Sequence, residues 1–219
     1  MSDPKRAEKI EAAEKSLQLV KTGMVVGLGS GSTAAEMVRL LGARVRDGLQ
    51  IRGVPSSEAT AALAREVGVP LVGLEDVDAL DVTIDGADEV DPRGELIKGR
   101  GGALLREKVI AAASRKLVII VDDTKRVPVL GARMPVPVEV TPFAVPVIHR
   151  ALTAMGASVA RRAAADGAPY VTDGGNQILD CRFGPIADPA ALGARLKAMV
   201  GVVEHGLFVG FAPTVIVAG

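Results

Sequence analysis

A glycine-rich turn between a lysine and a glutamate is the segment of this chain best suited to acid–base chemistry. Residues 98–108 read Lys-Gly-Arg-Gly-Gly-Ala-Leu-Leu-Arg-Glu-Lys, and the second half of this run is typical of a helix. Glycines let successive backbone N–H groups converge on one point, and the start of a helix adds a partial positive charge there. A carboxylate at Glu107, beside such a positive end, predicts proton abstraction next to an oxygen that gains negative charge.

A second glycine-rich segment, residues 27–33, has the sequence Gly-Leu-Gly-Ser-Gly-Ser-Thr between a predicted strand and a predicted helix. Its amides and hydroxyls predict a phosphate cradle, although an ordinary tight turn stays an alternative. The segment also fits a dinucleotide fingerprint formally. The next strand ends in Pro-Ser-Ser at 55–57, however, where a nicotinamide enzyme would place an acid. The P-loop lysine is missing as well, which argues against a triphosphate ligand.

A third segment, residues 85–91, reads Asp-Gly-Ala-Asp-Glu-Val-Asp and follows an apolar strand. Its carboxylates are therefore expected at the carboxyl edge of a sheet, where open α/β folds bind ligands. The acids do not have the spacing of a calcium loop, and His149 and His205 are far apart, so a metal site is disfavoured. The simpler alternative is a solvated acidic turn with capping aspartates, and Glu89 and Asp91 fit that alternative.

Composition excludes several classes of partner. The 219 residues are 48% apolar, enough for one large core or a core with a small satellite domain. Basic and acidic residues both number 26, so no net charge attracts nucleic acid or an anionic membrane. No apolar run is long enough for a membrane span, and the early residues do not resemble a signal peptide. With one cysteine, Cys181, the expected location is cytoplasmic.

The first part of the chain alternates strands and helices at the spacing of parallel βαβ units, which predicts a doubly wound, mostly parallel, Rossmann-like sheet. The expected helices are 4–21, 33–45, 57–67 and 103–114. The expected strands are 24–28, 51–54, a short one near Leu71, 82–84 and 117–121. The last strand is an unbroken apolar run, as in sheets that are buried on both faces.

After Arg126 the pattern changes to proline-spaced elements in the order β-α-β-β-α-β. This order predicts an inserted smaller α+β domain of the split βαβ, ferredoxin-like kind. Its expected elements are strands 136–140 and 158–162, a hairpin around 173–176, helices 144–155 and 189–199, and a strand near Val202. The main domain is expected to comprise residues 1–130 and 206–219, with residues 207–217 returning to the first sheet, and the small domain residues 131–205.

The three chemical segments gain weight from this arrangement. Taken alone, Lys98 is a common kind of surface lysine, and Glu107 fits a helix-face charge paired with Arg106 or Lys108. If the loops meet at one edge of one sheet, their hydroxyls, carboxylates and lysine converge around a pocket the size of a sugar phosphate.

At this level of detail the chain resembles the type A ribose-5-phosphate isomerases, nearly end to end. The motifs that carry the resemblance are Gly-Ser-Gly-Ser-Thr at 29–33, Asp-Gly-Ala-Asp-Glu at 85–89, the 98–108 run, Asp-x-x-Lys at 122–125, Pro-Val-Glu-Val at 137–140, Val-Thr-Asp-x-Gly-Asn-x-Ile-Leu-Asp at 171–180 and Gly-Leu-Phe at 206–208. The resemblance implies interconversion of D-ribose 5-phosphate and D-ribulose 5-phosphate through a cis-enediol. It also implies that the reaction needs neither a metal nor a cofactor.

The resemblance further implies roles for individual residues. Glu107 would move the proton between C2 and C1, Lys98 would stabilise the developing oxyanion, and Asp85 or Asp88 would relay hydroxyl protons. The expected substrate contacts are Ser30, Gly31, Ser32, Thr33, Asp85, Gly86, Ala87, Asp88, Lys98, Gly99, Arg100, Gly101, Lys125 and Lys9. Arg100 takes a turn position that often holds a small or apolar residue in this family, so its side chain is expected to face solvent.

Two other classes of protein stay open as alternatives. A coenzyme A transferase of related architecture would use a glutamate as nucleophile, although the Lys98 and Asp85 turns fit sugar chemistry better. A non-catalytic sugar-phosphate sensor would need a basic helix-turn-helix in front, and only about twenty residues precede the first strand. The resemblance suggests a homodimer, with the small domain as a possible interface. Cys181, His149 and His205 are expected to be structural.

Overall fold

The computed structural model describes residues 5–219, and the chain divides into two compact units. The first comprises Met1–Ala87, Arg106–Lys125 and Phe211–Gly219, and the second comprises Asp88–Leu105 and Arg126–Gly210. The predicted limits of the small domain, 131 and 205, stay a prediction. Residues 88–105, which the sequence analysis assigned to the main domain, pack in the second unit.

The first unit is built on a five-stranded parallel sheet. Its strands are β1 (Val25–Leu28), β2 (Arg52–Pro55), β3 (Val82–Asp85), β6 (Leu117–Asp122) and β12 (Thr214–Ala218). They lie in the order β12-β6-β3-β1-β2, and every neighbouring pair is parallel. The helices are α1 (Arg6–Leu17), α2 (Ser32–Arg46), α3 (Glu58–Glu66) and α4 (Leu104–Ala112), of which α4 begins in the second unit.

Buried apolar side chains explain this sheet. All six residues of β6 are buried, as the unbroken apolar run predicted. The core of the first unit joins helix residues such as Leu17 and Met37 to strand residues such as Ile84 and Ile120. The predicted helix at 4–21 is shorter in the structure, α1 ending at Leu17, and residue 4 lies outside the described residues. The strand predicted near Leu71 is a single bridge to Gly53.

The second unit contains a four-stranded antiparallel sheet with two helices. Its elements are β7 (Val136–Val140), α5 (Val145–Ala154), β8 (Ser158–Arg161), β9 (Gln177–Arg182), α6 (Pro189–Lys197) and β10 (Val202–His205). The spatial order β10-β7-β9-β8 places the first and third strands in the middle, which is the split βαβ arrangement. The predicted fold class, a parallel α/β sheet with a smaller α+β insertion, is confirmed.

A second, smaller sheet in this unit did not emerge from the sequence. Three two-residue strands form it: β4 (Glu89–Val90), β5 (Leu96–Ile97) and β11 (Leu207–Phe208), in the order β11-β5-β4. Only the later part of the predicted return at 207–217 therefore joins the parallel sheet, as β12. Lys98 follows β5 directly, so this small sheet sets where the glycine turn begins.

None of the helices in residues 5–219 is both long and apolar enough to cross a membrane.

Candidate active site

The serine-rich loop of the first unit is held by close backbone packing. It begins after β1, where the Gly29 N–H donates to the carbonyl oxygen of Ile84 at 3.0 Å. A Cβ atom at position 29 would lie 2.2 Å from Asp85 Oδ1, so only glycine fits there. Gly31 precedes α2 with a φ of 91°, a left-handed conformation that also favours glycine. The glycines at these positions thus bring the loop against the end of β3.

Asp85 fixes the same loop through its carboxylate. Asp85 is only 1% exposed. Its Oδ1 accepts the N–H of Ser30 at 3.1 Å and the N–H of Gly86 at 2.7 Å. Asp85 and the loop at 30–33 therefore form one rigid group at the carboxyl edge of the parallel sheet. The sequence predicts Asp85 at this edge, and the structure shows that β1 and β3 are parallel neighbours there.

The hydroxyl of Ser30 takes part in an internal hydrogen-bonded cluster. Its Oγ lies 2.7 Å from Ser56 Oγ, 2.9 Å from Ser57 Oγ and 3.2 Å from Thr60 Oγ1. Thr60 in turn donates to the carbonyl oxygen of Gly29 at 3.0 Å. The sequence analysis used residues 55–57 only to argue against a dinucleotide. Ser56 and Ser57 follow a neighbouring strand at its carboxyl end, and their hydroxyls could have indicated from the sequence that they support the 30–33 loop.

Lys9 lies beside this loop, as proposed from the resemblance. It projects from α1, and its Nζ donates to Ser32 Oγ at 2.8 Å. Thr33, one residue further along α2, is buried. Lys125 ends a short 3-10 turn after β6 and is partly buried. The first unit thus supplies two lysines and a row of helix N-terminal amides, groups that suit a phosphate.

Glu107 occupies the first turn of α4 and is only 4% exposed. The preceding residue, Arg106, points to the surface, where its Nη1 lies 2.8 Å from Glu58 Oε1. That guanidinium lowers the pKa of the Glu58 carboxyl through hydrogen bonding and charge. Arg106 is therefore paired with Glu58.

The glycine turn of the second unit has backbone angles and close contacts that only glycine allows. Gly99 and Gly102 have φ angles of 105° and 85°. An added Cβ at Gly99 would lie 2.8 Å from Leu104 Cβ, and one at Gly102 would lie 2.2 Å from the hydroxyl oxygen of Tyr170. Both positions therefore require glycine for conformation and for space. Gly101, by contrast, is exposed and has open space around it.

Lys98 enters this turn from β5 and is 3% exposed. Its N–H donates to the carbonyl oxygen of Gly206 at 2.9 Å, and its Nζ lies 5.5 Å from the ring centre of Phe208. A buried ammonium needs such support, since burial without partners is costly. Lys98 is therefore a held, desolvated cation and not a surface lysine.

Asp88 is tied to the same turn. Its N–H donates to the carbonyl oxygen of Ile97 at 2.8 Å, and its Oδ2 accepts the N–H of Arg100 at 2.9 Å. A cavity of about 480 Å³ lies beside these groups, lined by Asp88, Arg100, Ser158, Arg162, Asp180 and Arg182 among others. Arg100 is exposed, as the sequence analysis expected, and it lines this cavity.

Glu89 and Asp91 have structural contacts. Glu89 is 1% exposed and accepts three backbone N–H groups, from Gly131 at 2.6 Å and from Arg133 and Met134 at 2.7 Å. Asp91 accepts the N–H of Glu95 at 2.9 Å and closes its own turn. Both acids therefore have structural contacts, as in the simpler alternative given above, but they are buried and not solvated.

The remaining cysteine and histidines lie in the second unit. Cys181 is fully buried, and burial raises the pKa of its thiol to about 12, so it stays protonated at neutral pH. His205 is buried, and its Nδ1 accepts the N–H of Leu207 at 3.3 Å. Among residues 5–219, no group of three or more histidine, cysteine or acidic side chains is arranged to hold a metal ion.

The site residues predicted from sequence thus fall into two groups. In the first unit the structure brings together Lys9, the 30–33 loop and Asp85, and Glu107 and Lys125 belong to the same unit. In the second it brings together Asp88 and the 98–101 turn. The chain passes from one unit to the other after Ala87 and again after Leu105, that is, inside both motifs.

Comparison with known proteins gives one consistent family. The profile of ribose 5-phosphate isomerase A (phosphoriboisomerase A) matches residues 52–219. The ribose-5-phosphate isomerase A of Chloroflexus aurantiacus is 54% identical over 213 residues, which are 96% of this chain and 89% of the relative. That of Bradyrhizobium diazoefficiens is 50% identical over 96% of this chain and 91% of its own length.

Solved structures agree with these relatives. Ribose 5-phosphate isomerase A from Methanocaldococcus jannaschii has a TM-score of 0.93 at 38% identity, over 98% of this chain and 96% of its own. A D-ribose-5-phosphate isomerase in complex with phospho-erythronic acid has a TM-score of 0.94 at 41% identity, over 100% of this chain and 96% of its own.

Proposed function

The chain belongs to the ribose 5-phosphate isomerase A family, and from this premise we propose which of its residues perform the isomerisation. The reaction interconverts D-ribose 5-phosphate and D-ribulose 5-phosphate through a cis-enediol, in the pentose phosphate pathway. It removes the proton from C2 of the aldose and returns one to C1, while a hydroxyl proton moves from O2 to O1. The protein must therefore supply a base, a group that stabilises the oxyanion, and a relay for hydroxyl protons.

Glu107 is the base in this proposal. The observation that carries the assignment is its burial, 4% exposed, in the first turn of a helix that continues directly from the Lys98 turn. Its carboxylate takes the C2 proton and gives it back at C1, so that one group serves both halves of the reaction. The coenzyme A transferase and sensor alternatives are not needed for a member of this family.

Lys98 stabilises the oxygen that gains charge when the C2 proton leaves. A desolvated ammonium is effective there because charge interactions are stronger out of water, and because its position is fixed before the reaction begins. The backbone N–H groups of Gly99 and Gly101 assist it.

Asp85 and Asp88 relay the hydroxyl protons and contact the sugar together with the intervening Gly86 and Ala87. Both carboxylates already accept backbone N–H groups, so their orientation is set. The hydrogen bond from the Arg100 N–H leaves further lone pairs on the Asp88 carboxylate for a sugar hydroxyl, since an ionised carboxylate accepts about four hydrogen bonds.

The phosphate is bound by the loop at 30–33, by Lys9 and by Lys125. The contact of Lys9 with Ser32 and the exposed amides at the start of α2 support this role. The hydroxyl of Ser30 is engaged with its neighbours and its N–H donates to Asp85, so we assign the contribution of Ser30 to the rigidity of the loop.

The test is the substitution Glu107→Gln, which keeps the shape of the side chain and removes its basicity. We expect turnover to fall at least ~10²-fold, the scale of a general base, while sugar-phosphate binding and the folded state are retained. A coupled assay of ribulose 5-phosphate formation gives the rate, and calorimetric titration gives the binding. Glu66→Gln, an exposed glutamate of α3, is the control.

Near-normal turnover in Glu107→Gln would remove Glu107 from the mechanism. The same assay, repeated with a chelator, tests the expectation that no metal takes part, and inhibition by EDTA would contradict it.

We also propose that the protein is a homodimer. The second unit exposes three apolar side chains in one area, Phe143 at 97%, Val147 at 58% and Val200 at 95%. The Thr141 N–H donates to the carbonyl oxygen of Gly201 at 3.0 Å, which brings the two segments side by side. An apolar surface of this kind favours contact with another protein surface. A cytoplasmic location is proposed from the single cysteine, which is buried.

A further inference from the structure

The glycine turn is gripped on one side by two side chains of the second unit. Arg162 Nη1 donates to the carbonyl oxygen of Gly99 at 2.8 Å and to that of Arg100 at 3.0 Å. The hydroxyl of Tyr170 donates to the carbonyl oxygen of Gly101 at 3.3 Å. Three successive carbonyl groups of the turn therefore accept hydrogen bonds from these two residues.

Arg162 is itself held in one orientation. Its Nε and Nη2 donate to the two carboxylate oxygens of Asp180 at 2.9 and 2.5 Å, a bidentate pair. The side chains of Arg162 and Asp180 are only 14% and 22% exposed, and the guanidinium carbon lies 5.9 Å from the ring centre of Tyr170. The backbone N–H of Arg162 donates to the carbonyl oxygen of Ile178 at 2.9 Å. The backbone of Arg162 is thus hydrogen-bonded to β9 of the antiparallel sheet, and its guanidinium is held by Asp180.

The grip determines where the N–H groups of the turn point. In a trans peptide the C=O and the N–H lie in the peptide plane and point in opposite directions. The N–H of Arg100 donates to Asp88, and that of Gly102 donates to the carbonyl oxygen of Gly99 at 3.0 Å. Within residues 5–219, the N–H of Gly101 has no acceptor, and Gly101 is exposed. Its own peptide carbonyl, that of Arg100, faces Arg162, so this N–H faces away from Arg162.

We propose that Arg162, oriented by Asp180, is a positioning residue for the isomerisation: it fixes the peptide planes of the Lys98–Gly101 turn so that the Gly101 N–H is presented to the substrate oxygen that gains charge. This inference rests on the proposed role of Lys98 and its turn. A donor that is already oriented costs no reorganisation when charge develops, and such preorganisation is a large part of oxyanion stabilisation.

Glycine makes the grip necessary. A chain with glycine at 99, 101 and 102 has several accessible backbone conformations, and rotation of one peptide would turn its N–H away. Loss of Arg162 removes one donor from each of two held carbonyls at once, and the carbonyl of Gly99 then keeps only the N–H of Gly102 as a donor among the described residues. Without Arg162, the peptide planes of the turn no longer have one fixed orientation, and neither does the Gly101 N–H.

The test is Arg162→Ala, with steady-state kinetics and thermal unfolding measured together. We expect kcat to fall by about 10- to 10²-fold, somewhat less than the loss of a direct oxyanion donor, with KM within about threefold. Guanidinium ion added to the variant should restore part of kcat, since it can enter the cavity beside Asp180. Arg161→Ala, which removes the exposed neighbour at the end of β8, is the matched control and should keep kcat.

Two further variants keep the proposal open to contradiction if Arg162→Ala is unfolded. Asp180→Asn preserves volume and loosens the bidentate pair, and it should lower kcat less than Arg162→Ala does. Arg162→Lys should retain an intermediate kcat, because an ammonium can still donate to a carbonyl but lacks the planar fork that pairs with both oxygens of Asp180. Unchanged kcat in these two folded variants would overturn the proposal.

The outcomes separate this inference from the proposed function. If kcat falls in Lys98→Ala but stays within twofold of the parent in Arg162→Ala, the positioning role of Arg162 is wrong and the proposed active site is retained. A rise in KM alone in Arg162→Ala would also overturn it. Full activity in Lys98→Ala would instead contradict the proposed site itself.

Discussion

At the scale of single residues, the surroundings of a buried side chain, and not burial alone, separate the groups that the sequence offers for chemistry from those that only look similar. Glu107 and Glu89 are both almost fully buried glutamates. Glu89 holds a loop through three backbone N–H groups, whereas Glu107 stands at the start of a helix that follows a glycine turn. The residue type alone could not distinguish these two uses.

Lys98→Ala tests the proposed oxyanion role at this scale. We expect kcat to fall by about 10²- to 10³-fold, as when one oxyanion donor is removed, because the enediolate loses a fixed positive charge. Steady-state kinetics with ribose 5-phosphate measures it, with the exposed Lys116→Ala as control. A change confined to KM would show that Lys98 contributes to binding only.

At the scale of elements, short strands decide where the functional turn begins. The small sheet of β4, β5 and β11 places Lys98 at the end of β5, and the N–H of Lys98 donates to Gly206 next to β11. Two-residue strands have no detectable period, so the sequence analysis missed them. The long apolar run of β6 and the β-α-β-β-α-β order, by contrast, were recognised because each has a clear pattern.

Glu89→Gln tests how the loop at 131–134 is held against β4. The substitution places an amide NH₂ against one of the backbone N–H groups that the carboxylate now accepts, so we expect the free energy of unfolding to drop by about 2 kcal/mol. Urea denaturation followed by circular dichroism measures this. Glu14→Gln, an exposed glutamate of α1, should change the free energy of unfolding by less than about 0.5 kcal/mol. An unchanged value for Glu89→Gln would show that these hydrogen bonds contribute nothing net.

At the scale of the whole molecule, the proposed catalytic residues belong to both units. The chain crosses from one to the other inside the Asp85–Asp88 motif and again between Lys98 and Glu107. Neither unit alone carries the full set of proposed catalytic groups. The large exposed side chains of the second unit raise a separate question, that of self-association.

Phe143→Glu tests the proposed homodimer. A charge in place of an apolar side chain that is 97% exposed should weaken an interface there and shift the molar mass toward the monomer. Light scattering after size-exclusion chromatography measures this mass. Val171→Glu, an exposed valine that pairs with Gln177, is the control. A monomeric parent protein, or a dimer unaffected by Phe143→Glu, would contradict the proposal.

The sequence by itself determined the fold class, the family and the three chemical segments, because each depends on local patterns: apolar periodicity, glycine spacing and ordered motifs. It also indicated which end of the parallel strands carries the 30–33 loop and Asp85, since parallel neighbours share an edge.

Only the tertiary structure decided which side chains support those segments. Ser56, Ser57 and Thr60 surround the hydroxyl of Ser30, and Arg162 grips a turn more than sixty residues earlier in the chain. Such contacts join residues that are distant in sequence, and they depend on strand register and on the direction in which each peptide plane faces. A local pattern carries neither quantity, because both are set by packing between elements.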